Sequence, residues 1–336
     1  MIRGLTVAFA VLLVICAAGW LALRRADIPY DTLETVYASN ASQFMTLADG
    51  LKVHYRDEGI EDAPALVLVH GFSASLHTWE PWVDRLDETY RVVSLDLPGH
   101  GLTRTPDLDE LAPRYFADRV AEVTNRLDIE TFTLVGSSMG GNTAWQFALK
   151  YPEKLEGLVL VAASGWPRED GDDRPFVFRL LENSFARTLM RDLDMTSFMS
   201  SGLQDSFTDI SLVTDVMVER YVLLSRAPGH RDAILTLATA RDDREVATPE
   251  TLSAIRVPTL ILQGEDDRLV PAPNAAKFQA AIPMAELVRY ENVGHLPQEE
   301  IPDASAADLK RFLNTRVHSV DAANREDVPV PADSAP

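Results

Sequence analysis

Leu134 to Trp145 reads LVGSSMGGNTAW: an apolar run ends in glycine, two serines follow, and two more glycines open a helix-like stretch. Gly136-Ser137-Ser138-Met139-Gly140 fits the pattern G-x-S-x-G in the setting that gives it meaning, with a predicted strand before it and a predicted helix after it. A nucleophile at the tip of such a corner crowds the residues two positions away, and glycine lacks the Cβ that would clash. Ser138 is therefore the candidate nucleophile. Ser137 reads as a small neighbour whose side chain points elsewhere.

Outward from this corner, short β-rich runs alternate with helical patterns. A hairpin, FMTLADGLKVHYRDEG, turns at Asp49-Gly50. ALVLVHG is followed by a helix over Leu76 to Leu86, YRVVSLDLPG by one over Tyr115 to Leu127, and TFTLVGSS by one over Met139 to Leu149. Strands apolar on both faces, alternating with helices, indicate a mainly parallel sheet covered by helices. The alternation stops near Gly165 and resumes at VPTLILQGEDD, Val257 to Asp267. The intervening segment carries the helix-like pieces FVFRLLENSFARTLMRDL, SLVTDVMVERYVLLSR and HRDAILTLATARD, so it reads as an inserted helical cap rather than a long loop. A helix over Asn274 to Ala281, the run AELVRYENVGH and a closing helix over Ser305 to Leu313 complete the pattern.

A serine hydroxyl needs a base, and the base needs a carboxylate to hold its tautomer and stabilise its charge. The chain must therefore supply an acid and a histidine, and the runs after the insertion offer both. Of the seven histidines, His295 is best placed, after an apolar run and a glycine; His54, His77, His100, His230 and His318 have ordinary structural readings. Asp266 and Asp267 both follow the strand Thr259 to Gln263, and the pattern does not choose between them. Oxyanion stabilisation calls for backbone amides. The Met139 N–H, just after Ser138 and at a helix start, is one candidate, and the Phe72 N–H in the loop LVHGFSASLHTW is the other. This chemistry requires no metal and no organic cofactor.

Composition narrows the partners. With 51 acidic and 31 basic residues the formal charge is −20, which repels a nucleic-acid backbone. The lone Cys16 excludes an intrachain disulfide framework and a cysteine-built zinc site. At the N-terminus, Leu5 to Leu23 is an uncharged apolar stretch of about the ~20 residues that a bilayer-spanning helix needs. It predicts a single-pass membrane anchor in preference to a cleaved signal, which would want a shorter apolar region and an A-x-A site. Arg3 faces Arg24 and Arg25 across it, so the side of the catalytic domain is left open. The expected organisation is an anchor over 1–25, a connector over 26–42, a core over 43–165 and 249–314 interrupted by a cap over 166–248, and a disordered tail over 315–336.

Taken together, LVHGFSASLHTW, VVSLDLPGHGLT, LVGSSMGG, LILQGEDDRLVP and NVGHLPQEEIP resemble the α/β-hydrolase fold family, of the serine esterase/lipase type and similar to monoacylglycerol lipases. The resemblance implies a mostly parallel eight-stranded sheet flanked by helices, with the insertion as a lid. It implies a triad of Ser138, Asp267 and His295, because the family's acid is commonly the last residue of a G-x-x-D segment, here Gly264 to Asp267. It also implies an oxyanion hole of Phe72 and Met139. The activity it implies is cleavage of carboxylic esters, medium-chain or monoacylglycerol-like, with a small ester or lipid as substrate and the membrane as partner. The alternatives are a carbon–carbon bond hydrolase of ring-cleavage products, a cofactor-free perhydrolase, and a non-catalytic binding protein on the same fold.

Overall fold

The computed structural model describes residues 2–105, 111–167, 183–239 and 246–318. Eight strands form one sheet: β1 (Ser42–Thr46), β2 (Lys52–Gly59), β3 (Ala65–Val69), β4 (Arg91–Leu95), β5 (Phe132–Ser137), β6 (Leu155–Val161), β7 (Thr259–Gly264) and β8 (Ala285–Tyr290). Their order is β1-β2-β4-β3-β5-β6-β7-β8. β2 runs antiparallel to both β1 and β4, and every other pairing is parallel. β3, β5 and β7 are buried at every position, which is why they read as unbroken apolar runs. The hairpin turns where expected, with Gly50 at φ 87°.

Described helices are α1 (Ile2–Leu23), α2 (Tyr30–Tyr37), α3 (Glu80–Leu86), α4 (Pro113–Arg126), α5 (Met139–Lys150), α6 (Ser184–Arg191), α7 (Thr196–Ser206), α8 (Asp215–Ser225), α9 (His230–Thr239), α10 (Pro249–Leu252), α11 (Pro273–Ala281), α12 (Pro297–Glu300) and α13 (Pro302–Phe312). Alternate strand residues face opposite layers. Val67, Leu134, Leu158 and Ile261 pack with Phe116 and Val120 of α4, Phe147 of α5 and Phe278 of α11. Leu66, Val135, Val159 and Leu260 pack with Trp82 and Leu86 of α3 and Leu309 and Phe312 of α13. The result is the three-layer α/β-hydrolase architecture, an eight-stranded, mostly parallel sheet between two helical layers.

The insertion folds into α6 to α9. Asn183 caps α6 by accepting from the Phe185 and Ala186 amides, and Thr214 caps α8 by accepting from Met217. The helical piece expected from Phe176 lies outside the described residues as far as Glu182, as do Ala240 to Arg244 and the tail from residue 319. α2 forms within the expected connector, with Leu33 buried against Leu102 and Leu224.

The expectation of a membrane anchor is corrected here. α1 forms, yet among the described residues no helix is long and apolar enough to cross a membrane. The C-terminal end of α1 is bonded to the insertion. Trp20 Nε1 donates to the Leu189 carbonyl at 2.8 Å, Arg24 pairs with Asp192 at 3.1 Å, and the Arg25 amide donates to the Asp192 carbonyl at 2.7 Å. An apolar run scores the same on hydropathy whatever its polar end is bonded to, so Leu5 to Leu23 misleads. The membrane partner and the single-pass localisation inferred from it are withdrawn.

Candidate active site

The candidate residues sit in loops at the carboxyl ends of four parallel strands, where an open α/β sheet places its ligands. Ser138 occupies the corner between β5 and α5 with φ 55° and ψ −115°, far from the ordinary left-handed well. Neighbouring backbone holds it there. Its N–H donates to the Val161 carbonyl at 2.9 Å, and its carbonyl accepts from the amides of Asn142 and Ser164, both at 3.1 Å. The glycine requirement is steric, as expected: a Cβ on Gly136 would lie 2.1 Å from the Gly140 carbonyl oxygen, and one on Gly140 would lie 2.2 Å from that of Val69. Ser137 ends β5 buried, its hydroxyl without a partner among the described residues.

Asp267 and His295 come together. His295 Nδ1 donates to Asp267 Oδ2 at 2.8 Å, with the aspartate side chain fully buried and that of the histidine 5% exposed. Asp267 is held on its other sides by Gln263 Nε2 and by the amides of Leu269 and Val270. Burial pushes its carboxyl up, and the His295 bond and the two amides outweigh that, leaving it below the usual range. Asp266, by contrast, is exposed. With Nδ1 committed to the carboxylate, His295 presents Nε2 as its free, proton-accepting nitrogen.

The loop after β3 approaches Ser138 closely, since a Cβ on Gly71 would lie 3.1 Å from that of the serine. Among the described residues neither the Phe72 nor the Met139 N–H has a protein acceptor. His70 orients the first of these amides. Its Nδ1 donates to the Gly71 carbonyl at 2.7 Å and its Nε2 accepts from the Leu97 amide at 3.0 Å, so the ring is the neutral Nδ1–H tautomer. Burial, which lowers its pKa, keeps it so. Gly71 C=O and Phe72 N–H belong to one planar trans peptide; tying down the carbonyl aims the N–H the opposite way.

Sequence reasoning missed Glu300. Its Oε1 accepts from the amides of Thr208 and Asp209, and its Oε2 from that of Gly294, at 2.9, 2.8 and 2.7 Å. The His295 amide in turn donates to the Ser206 carbonyl at 2.7 Å. The loop carrying His295 is thus bonded to the end of α7. The only signal was a carboxylate five residues beyond His295, and its neighbour Glu299 carries the same signal. In the cap, Met199 is buried and accepts from Ser73 at 3.6 Å, beside Phe72, while Phe198 is exposed. Phe176 to Leu181 lie outside the described residues.

The α/β-hydrolase fold family model matches residues 64–302. A 2-hydroxy-6-oxononadienedioate/2-hydroxy-6-oxononatrienedioate hydrolase of Comamonas testosteroni is 29% identical over 280 residues, covering 79% of this chain and 94% of its own. The crystal structure of a meta-cleavage product hydrolase variant superposes with a TM-score of 0.69 at 25% identity, covering 82% of this chain and 98% of its own. That of a membrane phospholipase A, described as a bacterial virulence factor, gives 0.68 at 26% identity, covering 94% and 98%. The expected lipase subtype is therefore corrected: the curated relative is a dienedioate hydrolase, not a lipase. The chain carries the fold, the strand-end loops and the family match together: it is a hydrolase and belongs to the α/β-hydrolase fold family.

Proposed function

We propose that Ser138, His295 and Asp267 act as nucleophile, base and supporting acid of an acyl transfer, and that the bond broken is the carbon–carbon bond of a 2-hydroxy-6-oxo dienoate. The observation that carries the chemistry is the 2.8 Å bond from His295 to the buried Asp267, which leaves Nε2 as the base. The bond type is supported by the Comamonas testosteroni relative, matched over 94% of its length.

In this reading Ser138 Oγ attacks the 6-oxo carbonyl while His295 takes its proton, and the Phe72 and Met139 amides hold the oxyanion. Collapse breaks the adjoining carbon–carbon bond. The departing carbon leaves with the electron pair, its charge spread into the keto tautomer of the 2-hydroxy group, and takes the proton from His295. Water activated by His295 then releases the acyl group as a carboxylic acid and restores Ser138. No step changes an oxidation state through an external partner.

A second reading, carboxylic ester hydrolysis by the same residues, is favoured by the phospholipase A structure, whose match extends over 94% of this chain. One experiment separates the two. The purified chain is given a 2-hydroxy-6-oxo dienoate, followed by loss of its chromophore, and a p-nitrophenyl ester series, each with Ser138→Ala alongside. Dienoate turnover abolished in the variant supports the first reading, and ester turnover alone supports the second. Activity undiminished by Ser138→Ala overturns both.

A further inference from the structure

Away from the strand-end loops, a small cleft of about 30 Å³ opens where the segment after α1 meets the insertion. Arg25, Asp194, Thr196, Ser225, Arg226 and Arg231 contribute its polar lining, three cations to one acid in a chain whose overall charge is −20. Arg25 pairs with Asp194 at 2.9 Å, and Arg231 bonds Asp27 at 2.5 Å and lies 3.6 Å from Asp192. Two features are left over. Arg226 has no carboxylate among the described residues, because its Nε and Nη2 both donate to the Ala26 carbonyl. Arg231 is 7% exposed, yet its Nε–H has no acceptor among the described residues. A buried guanidinium donor without an acceptor is costly, and a bound anion removes that cost. Burial first, then the neighbouring charges of Arg231 and Arg25, lower the pKa of Arg226 against the opposite pull of Asp194 and Asp27.

We propose that this cleft binds a small oxyanion, a carboxylate or a phosphate, held by Arg25, Arg226 and Arg231. With Arg226 Nε and Nη2 on the Ala26 carbonyl and both Arg231 Nη atoms engaged, Arg226 Nη1 and Arg231 Nε are the donors left for either group. At about 30 Å³ the cleft has room for one small anion.

The test is thermal unfolding of the full chain in sodium phosphate and in sodium acetate, against sodium chloride of equal ionic strength. A saturable rise in Tm of about 2–4 °C above chloride is expected in one or both salts. Response to phosphate alone or to acetate alone identifies the ligand class. Arg226→Gln removes a cation without breaking an ion pair, and should lose most of the rise. Arg226→Lys keeps the charge but not the fork, and should need about tenfold more salt for half the effect. No rise beyond chloride, or the same dependence in wild type and both variants, overturns the proposal. Because the readout needs no substrate, its outcome is independent of the chemistry assigned to Ser138.

Discussion

Ser138 holds φ 55° and ψ −115° because amide and carbonyl are both bonded to fixed backbone, at Val161 on one side and at Asn142 and Ser164 on the other. A backbone so placed costs about 1–3 kcal/mol, supplied by the packing of the corner. At this scale the two adjacent aspartates make a sharp comparison. Asp267→Asn should lower kcat by about 10⁴-fold, since it leaves the His295 tautomer unsupported, while Asp266→Asn should stay within about twofold. Steady-state kinetics on the substrate found active checks both. Glu299 gives a pH prediction. Burial pushes its carboxyl up to about 7, against the downward pull of the Thr78 hydroxyl and Arg220. A carboxyl raised in the folded state holds a proton that the unfolded chain releases near its ordinary pKa. The associated stability is therefore full at low pH and is lost as pH rises through about 7. Glu299→Gln should match wild type near pH 4 and exceed it by about 3 kcal/mol at pH 8, read from urea denaturation at the two values.

Among elements, α7 connects the cap to the site. Met199, near its start, lies against Ser73 in the oxyanion loop, and Ser206, its last residue, accepts from the His295 amide. Glu300 bonds both the segment following α7 and the glycine before His295. Removing this carboxylate leaves three amides without acceptors, each a cost of about 1–3 kcal/mol where water cannot reach. Glu300→Ala should reduce kcat by about 10- to 100-fold with a smaller change in KM, and hydrogen exchange should quicken at residues 206–209 and 294–295 together. If exchange quickens in only one of these segments, Glu300 does not couple them. The β5–α5 corner behaves differently, because its tolerance is set by close contact. Gly140→Ala would drive a methyl group into the Val69 and His70 carbonyls and should abolish folding at ordinary growth temperature.

Over the whole molecule the charge of −20 matters more than any single ion pair. A dienedioate carries two carboxylates, so the protein's field opposes its approach, and screening should relieve that opposition. Between about 10 and 150 mM sodium chloride, kcat/KM for a dianionic dienoate should rise severalfold, while that for a neutral p-nitrophenyl ester should stay flat. Parallel rises for both would place the salt effect on the fold and not on encounter.

The sequence by itself determined the α/β order of elements, the Ser138 corner with its glycines, and the choice of His295. Each depends on local periodicity or on the sterics of a few adjacent residues, which a linear pattern records directly. Local pattern left Asp266 and Asp267 open and only the family resemblance pointed to Asp267; in the fold it is Asp267 that turns inward and bonds His295. The fold also assigned His70 its fixed tautomer and Glu300 its three amides, because each set includes bonds to distant segments, 27 residues away for His70 and 91 and 92 for Glu300. The apolar run at the N-terminus misled for the same reason. Hydropathy sums side chains one at a time, whereas the bonds of Trp20, Arg24 and Arg25 to the insertion exist only once the chain has folded.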